Sequence, residues 1–235
     1  MIIRKQLAFD IETIPDMTLV ELLPEVEASK VLKDPEKIKL DLERKKEEQI
    51  EKMALNPLFG KIVCISIVGE NEEHFLIGDE KKIIEDFFKI TSDCQLISYN
   101  GINFDIPFIY KRAIKNNIPD INLYQMKQFT NKYDCFKHID IMNEFCNYGQ
   151  FEKLDTLAKI YLNESKNDFD VKLIPQLIET EEGKQQLKEY CLQDTRLTWK
   201  LAKKFGFIDS IENQIKKEQE ELNNLFGEHN ENLES

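Results

Sequence analysis

Two acids open the chemistry of this chain. Asp10 and Glu12 stand one residue apart in Leu7-Ala8-Phe9-Asp10-Ile11-Glu12-Thr13-Ile14-Pro15. Leu7 to Phe9 is a short apolar run and reads as the end of a buried strand. In a strand, residues i and i+2 share a face, so the two carboxylates lie side by side. They repel each other, and partial burial raises their energy further. A divalent cation held by oxygen ligands offsets both costs. The plain alternative is a strand leaving the core into a polar turn at Pro15.

Two later stretches carry matching acids. Ser98-Tyr99-Asn100-Gly101-Ile102-Asn103-Phe104-Asp105 runs from a strand through a tight Asn-Gly turn into a helix. Asp105 is a good residue for a helix start on structural grounds alone. It would also bring a third carboxylate to the carboxyl end of a sheet, where open α/β folds place their sites. Asn100 can bond a phosphate or the turn itself, and Phe104 offers a wall on which a terminal base could stack. The third stretch is Glu189-Tyr190-Cys191-Leu192-Gln193-Asp194-Thr195 in a long helix. Leu187, Cys191, Asp194, Thr198, Leu201 and Phe205 recur at spacings of three and four, so Asp194 falls on the inward face. Tyr190 precedes it by four residues on the same side. A tyrosine hydroxyl there can orient or help deprotonate a water; taken alone, the pair could simply close a core helix. Together, Asp10, Glu12, Asp105 and Asp194 suit a two-metal phosphoryl-transfer site.

The elements that must position these residues can be read in order. A polar excursion follows the first strand, and within it Asp34-Pro35-Glu36 starts a charged helix over about 34–55. Its apolar positions, Ile38, Leu42, Ile50 and Met53, make a thin stripe, which suits a peripheral helix or a flap over a cleft. Lys61 to Gly69 and Glu73 to Gly78 read as an antiparallel hairpin, then Asp79 to Ile90 as an amphipathic helix. A strand at Gln95 to Tyr99 leads to a helix at Phe104 to Lys115. His138 to Met142 reads as another strand, Leu154 to Leu162 as a helix, and Gly183 to Phe205 as the long helix. A final helix over Ile208 to Phe226 and an acidic tail close the chain. The order predicts an α/β fold with a mixed five-stranded sheet, its antiparallel half first.

Composition narrows the function classes. The chain has 235 residues, 41% hydrophobic and 10% aromatic, enough for a sizeable core. Five scattered cysteines without a Cys-x-x-Cys pair point to reduced thiols and a cytoplasmic setting. No signal-peptide layout and no membrane-length apolar run is present. A net charge of -12 argues against broad adhesion to duplex DNA. One local patch runs the other way: Lys111, Arg112, Lys115, Lys127, Lys132 and Lys137 with interleaved aromatics, either a solvated loop or a strand-guiding surface.

The three acid motifs, in this order and spacing, resemble the DEDD exonuclease superfamily, of ribonuclease H-like fold. The resemblance lies in Phe9-Asp10-Ile11-Glu12-Thr13, in Asn100-Gly101 with Phe104-Asp105-x-Pro107, and in Tyr190-x-x-x-Asp194. It looks closest to the proofreading exonuclease domains of family B DNA polymerases and their stand-alone relatives, and His138 to Asp140 is similar to a segment of those relatives. With Tyr190, and Glu189 rather than histidine before it, the chain looks like the tyrosine branch (DEDDy). The similarity covers residues 1–206, leaving 207–235 as a C-terminal helix and tail. The resemblance implies 3′–5′ hydrolysis of terminal phosphodiesters, releasing 5′-mononucleotides. It implies two Mg²⁺ or Mn²⁺ ions: one on Asp10, Glu12 and Asp194, the other on Asp10 and, through water, Asp105. Tyr190 would orient the attacking water, and Thr13, Asn100 and Phe104 would meet the substrate. The expected partner is single-stranded DNA or a frayed 3′ end, with any proofreading done for a polymerase in trans. RNA exonuclease activity, or a non-catalytic strand-binding module of the same fold, are the competing readings.

Overall fold

The computed structural model describes residues 5–146 and 150–208. Strand β1 (Gln6–Pro15) is followed by a 3₁₀ turn (Met17–Leu22) and helix α1 (Pro35–Met53). The hairpin β2 (Gly60–Val68) and β3 (Glu73–Ile77) leads to α2 (Glu80–Ile90), β4 (Gln95–Ser98), α3 (Asp105–Lys115) and the single turn α4 (Leu123–Met126). Then come β5 (His138–Asp140), α5 (Ile141–Phe145), α6 (Leu154–Leu162), a 3₁₀ turn (Val171–Leu173), α7 (Ile174–Leu177) and α8 (Glu181–Lys204).

The five strands form one mixed sheet in the order β3-β2-β1-β4-β5. β3, β2 and β1 are antiparallel; β1, β4 and β5 are parallel. β1 extends to Pro15, so Asp10 and Glu12 lie within the strand and not at its end as the sequence suggested. The apolar run was a poor guide because β2 pairs with β1 over Ala8 to Pro15, which satisfies the backbone whatever the side chains. β4 pairs with β1 only at Gln6, Leu7 and Ala8. From Phe9 onward the β4 side of β1 is free for something else, and that is where the site is built.

Helices cover both faces. Leu7, Phe9 and Ile11 pack with Ile84 and Phe87 of α2 and Ile106 and Phe108 of α3. Ala8 faces the other way, toward Leu157 of α6 and Trp199 and Leu201 of α8. Each fully buried Leu, Ile or Phe stabilises the fold by about 1.5–3 kcal/mol. α1 is peripheral: Asp34 caps it by accepting from Glu36 N at 2.9 Å, and Met53 alone is buried.

Four expectations need correction. β5 stops at Asp140, whose side chain caps α5, so 138–142 is not all strand. α3 begins at Asp105, one residue later than read, and α8 begins at Glu181, two earlier, with Thr180 capping it. The basic patch is not one surface. Arg112 is buried against Asp16 and Glu80, and Lys115 pairs with Asp16, which holds the Asp16 carboxyl well below its usual range against a burial that opposes this. Phe207 and Ile208 still pack on the core; the rest of the expected last helix and the tail lies outside the described residues. No helix among the described residues is long and apolar enough to cross a membrane.

Candidate active site

β1 supplies two acids to the α8 face of the sheet. Asp10 and Glu12 follow Ala8 at spacings of two and point where it points. Opposite Asp10 on β2 is Ser66, whose hydroxyl donates to the Cys191 carbonyl of α8 at 3.1 Å and lies 2.5 Å from Thr195 Oγ1. That polar contact seats α8 across β1 and β2. Asp194, one residue before Thr195, then faces the β1 acids. Immediately after Glu12 the ladder shifts: Glu12 pairs with Cys64 but Thr13 with Ile62, leaving Val63 as an extra residue. Such a bulge twists the ladder and re-aims the side chains beside it.

The third acid arrives through the turn after β4. Asn100 adopts φ 68°, which asparagine tolerates, and a Cβ on Gly101 would lie 2.3 Å from Ser98 Oγ. The buried Asp140 carboxylate accepts from Asn100 N and Ile102 N, both at 2.9 Å, and from Met142 N at 3.1 Å. Ser98 adds a second tie. His138 Nδ1 donates to the Phe129 carbonyl, which can only accept, so His138 Nε2 accepts from the Ser98 hydroxyl. Ser98 Oγ in turn accepts from Gly101 N at 3.0 Å. Asp105 is the first residue of α3 and does not cap it; its Oδ1 accepts from Ile11 N at 3.2 Å, across the open edge of β1. The sequence marked Asp140 only as part of a segment shared with relatives. Its role appears once β5 is beside β4.

Burial raises all four acids, and neighbouring carboxylates raise Asp10, Glu12 and Asp105 further. Asp10 is pushed up to about 7, first by burial and then by Asp194. Glu12 is raised well above the usual range by burial, then by Asp10, Asp194 and Asp105. Asp105 is raised by burial and by Asp10, and Asp194 by burial. One cation opposes this. Lys166 Nζ lies 2.5 Å from Asp194 Oδ2 and also pulls down Asp10 and Glu12. Sequence reading passed over Lys166, which sits in a polar loop without a motif. That loop is held by Gln193 Nε2 donating to the Ser165 carbonyl and by Lys166 N donating to Asp155 Oδ1. The only signal was indirect: an acid on the inward face of a helix needs a partner.

Tyr190 stacks on Phe169 with ring centroids 4.0 Å apart, and Lys166 Nζ is 5.7 Å from its ring centre. Burial and then the acids push its phenol far above the ordinary value, so it stays protonated. It can therefore orient a water but cannot serve as a base. Its hydroxyl is close enough to Asp194 to lower that carboxyl, yet it does not satisfy Asp194 Oδ1, which is buried with no hydrogen-bond partner. Among the described residues no three metal-ligating side chains are already gathered at one metal-sized point; the Lys166 ammonium stands among the acids. The donor set nonetheless fits a hard divalent cation: oxygens only, crowded, desolvated and with one lone pair left over.

A cleft of about 550 Å³ has Glu12, Thr13 and Phe104 in its wall. That falls in the range of small-ligand sites. Ile50, Leu55, Val171 and Pro175 make the rest of the wall largely apolar. The side chains of Thr13 and Asn100 also bond within the chain. The Thr13 hydroxyl donates to the Ala54 carbonyl at 2.7 Å, tying β1 to the end of α1. The Asn100 side chain accepts from Asn103 Nδ2 at 2.9 Å and is not in the cleft wall.

Residues 55–233 match a family described as a predicted 3′–5′ exonuclease related to the exonuclease domain of PolB. The chain belongs to that family. The match takes in Asp105, Lys166, Tyr190 and Asp194 and begins beyond Asp10 and Glu12. Among curated relatives of this chain is the DNA polymerase of Thermococcus aggregans, 26% identical over 175 residues. That match covers 62% of this chain and 10% of the polymerase. DNA polymerase 1 of Sulfurisphaera ohwakuensis is 33% identical over 136 residues, 52% of this chain and 15% of its own length. The chain thus corresponds to a small fraction of these polymerases. Among solved structures, the family B DNA polymerase of Pyrobaculum calidifontis superposes with a TM-score of 0.55 at 17% identity, over 86% of this chain and 24% of the polymerase. That likeness is one of fold, and the fold is ribonuclease H-like.

Proposed function

We propose that this family member is a metal-dependent 3′–5′ exonuclease of the tyrosine branch, acting on unpaired 3′ ends of DNA and releasing 5′-mononucleotides. The reading rests on Asp10, Glu12, Asp105 and Asp194, all raised by burial, with Asp10 raised further by Asp194 and Asp105 by Asp10, and with Glu12 in the wall of a cleft of about 550 Å³. The polymerase relatives favour DNA as the substrate, and a polymerase served in trans as the partner.

Asp10, Glu12 and Asp194 would hold one Mg²⁺ or Mn²⁺, and Asp10 with Asp105 a second. Bound there, such ions lower the pKa of water and neutralise charge on the phosphate and the departing 3′ oxygen. The rest is done by the chain. Phe104 and the apolar wall take the terminal nucleoside. Tyr190, held protonated, donates to the attacking water and turns its lone pair toward phosphorus. Lys166 holds Asp194 against the repulsion of its neighbours and offers a positive charge to the transferring phosphoryl group.

The test uses 5′-labelled single-stranded DNA and RNA of one sequence. With Mg²⁺ the DNA should shorten stepwise from its 3′ end, EDTA should stop it, and Mg²⁺ or Mn²⁺ should restore it. Faster loss of the RNA would make the chain an exoribonuclease. No cleavage of either would leave a strand-binding module.

A further inference from the structure

The cleft has two outer walls from separate parts of the chain, and they touch. One is the last turn of α1, with Ile50 and Glu51. The other is the 3₁₀ turn before α7, with Val171 and Lys172. Lys172 Nζ meets Glu51 Oε1 at 2.7 Å, with 67% and 55% of the two side chains exposed, so the contact lies on the rim. Elsewhere α1 is held at its C-terminal end by the Thr13 hydroxyl on the Ala54 carbonyl, and along its length by Ser29 N donating to Asp41 Oδ2. It buries only Met53, and its outward side leans on the preceding segment through Lys45 donating to the Glu27 carbonyl and Gln49 donating to the Pro24 carbonyl.

We infer that the Glu51–Lys172 pair is a latch that narrows the mouth of the cleft and so selects unpaired ends over paired ones. The inference rests on the proposed use of the cleft for the terminal nucleotide. The cleft, of about 550 Å³, lies in the size range of small-ligand sites, and Glu51 and Lys172 stand together in its wall. With the walls joined, a paired terminus must first fray. With them apart, α1 can swing outward and a second strand can approach. The pair also sets the charge of the rim. Glu51 alone would repel an entering phosphate, and Lys172 cancels it.

The test compares rates on a blunt duplex and on the same strand unpaired, in Mg²⁺, for Glu51→Lys, Lys172→Glu and the double exchange. Each single change puts like charges face to face and drives the walls apart, while the two changes have opposite effects on the rim charge. The duplex-to-single-strand ratio should rise in both, by about two- to fivefold from loss of an exposed pair and up to about tenfold with the added repulsion. The double exchange restores the pair and should return the ratio to that of the native protein. An unchanged ratio, or single variants that shift it in opposite directions, would overturn the latch. If the native chain fails to degrade the unpaired strand, the reading of the cleft itself falls, and the two failures are distinct.

Discussion

Replacing Lys166 by Met should make the protein depend on divalent metal for its stability. In the metal-free protein Lys166 is the cation that lowers Asp10, Glu12 and Asp194. Its ammonium is 2.5 Å from Asp194 Oδ2; the Asp194 side chain is 4% exposed and that of Lys166 31%. Removing one member of a buried pair costs about 3–5 kcal/mol. Solvent reaches a third of this lysine, which reduces the figure to roughly 2–3 kcal/mol. For a chain of this size that is about 5–10 °C in melting temperature. With Mg²⁺ bound, the same carboxylates are neutralised from another source and the loss should shrink to about 2 °C or less. The assay is a thermal melt of both proteins at pH 7.5, in EDTA and in saturating Mg²⁺. Equal losses in the two conditions would refute the reasoning, because Lys166 would then be a packing contact and not the partner of the acid cluster.

Three further outcomes follow from the same geometry. Asp10 is raised from 3.8 to about 7, so between those values the folded chain keeps a proton that the unfolded chain has released. Metal-free stability should therefore fall as pH rises from about 4 to about 7 and then level off; His138, held low by burial, acts in the opposite sense, and Asp10→Asn keeps it. The melting temperature of Asp10→Asn minus that of the native chain, in EDTA, should grow between pH 5 and pH 7.5; a flat difference would count against a shared desolvated cluster. Tyr190→Phe keeps its stack on Phe169 and should lose about 10²-fold or less in single-turnover cleavage, whereas Asp194→Asn should lose more; equal losses would make Tyr190 more than a water-orienting group. Asp140→Asn sets an amide N–H against a backbone N–H in the turn and should cost about 1–3 kcal/mol in denaturant unfolding. Its kcat should fall further than that loss explains, because Asp105 rides on this turn; native kcat in the folded variant would show that Asp140 only stabilises.

Much of the fold was legible because local rules and the tertiary structure agree. Val, Ile and Cys crowd β2, Asp34-Pro35 starts α1, and the three- and four-residue spacing along α8 turns Asp194 inward. Spacing alone put Asp10 and Glu12 on one face, and the candidate acids were readable because carboxylates in apolar settings are costly and therefore conspicuous. What could not be read were the contacts between distant segments. Lys166 is 28 positions from its partner Asp194 and sits in a featureless loop. Asp140 ties down a turn 40 positions away, and Arg112 sits under Asp16 in what reads as an exposed basic patch. The Thr13 hydroxyl ties β1 to the carbonyl of Ala54, 41 positions away. Residue type and period determine which side of an element a group occupies. Which element lies opposite is decided by strand order and helix docking. β4 leaves β1 after Ala8, the open edge takes up Asp105, and α8 closes over it with Asp194.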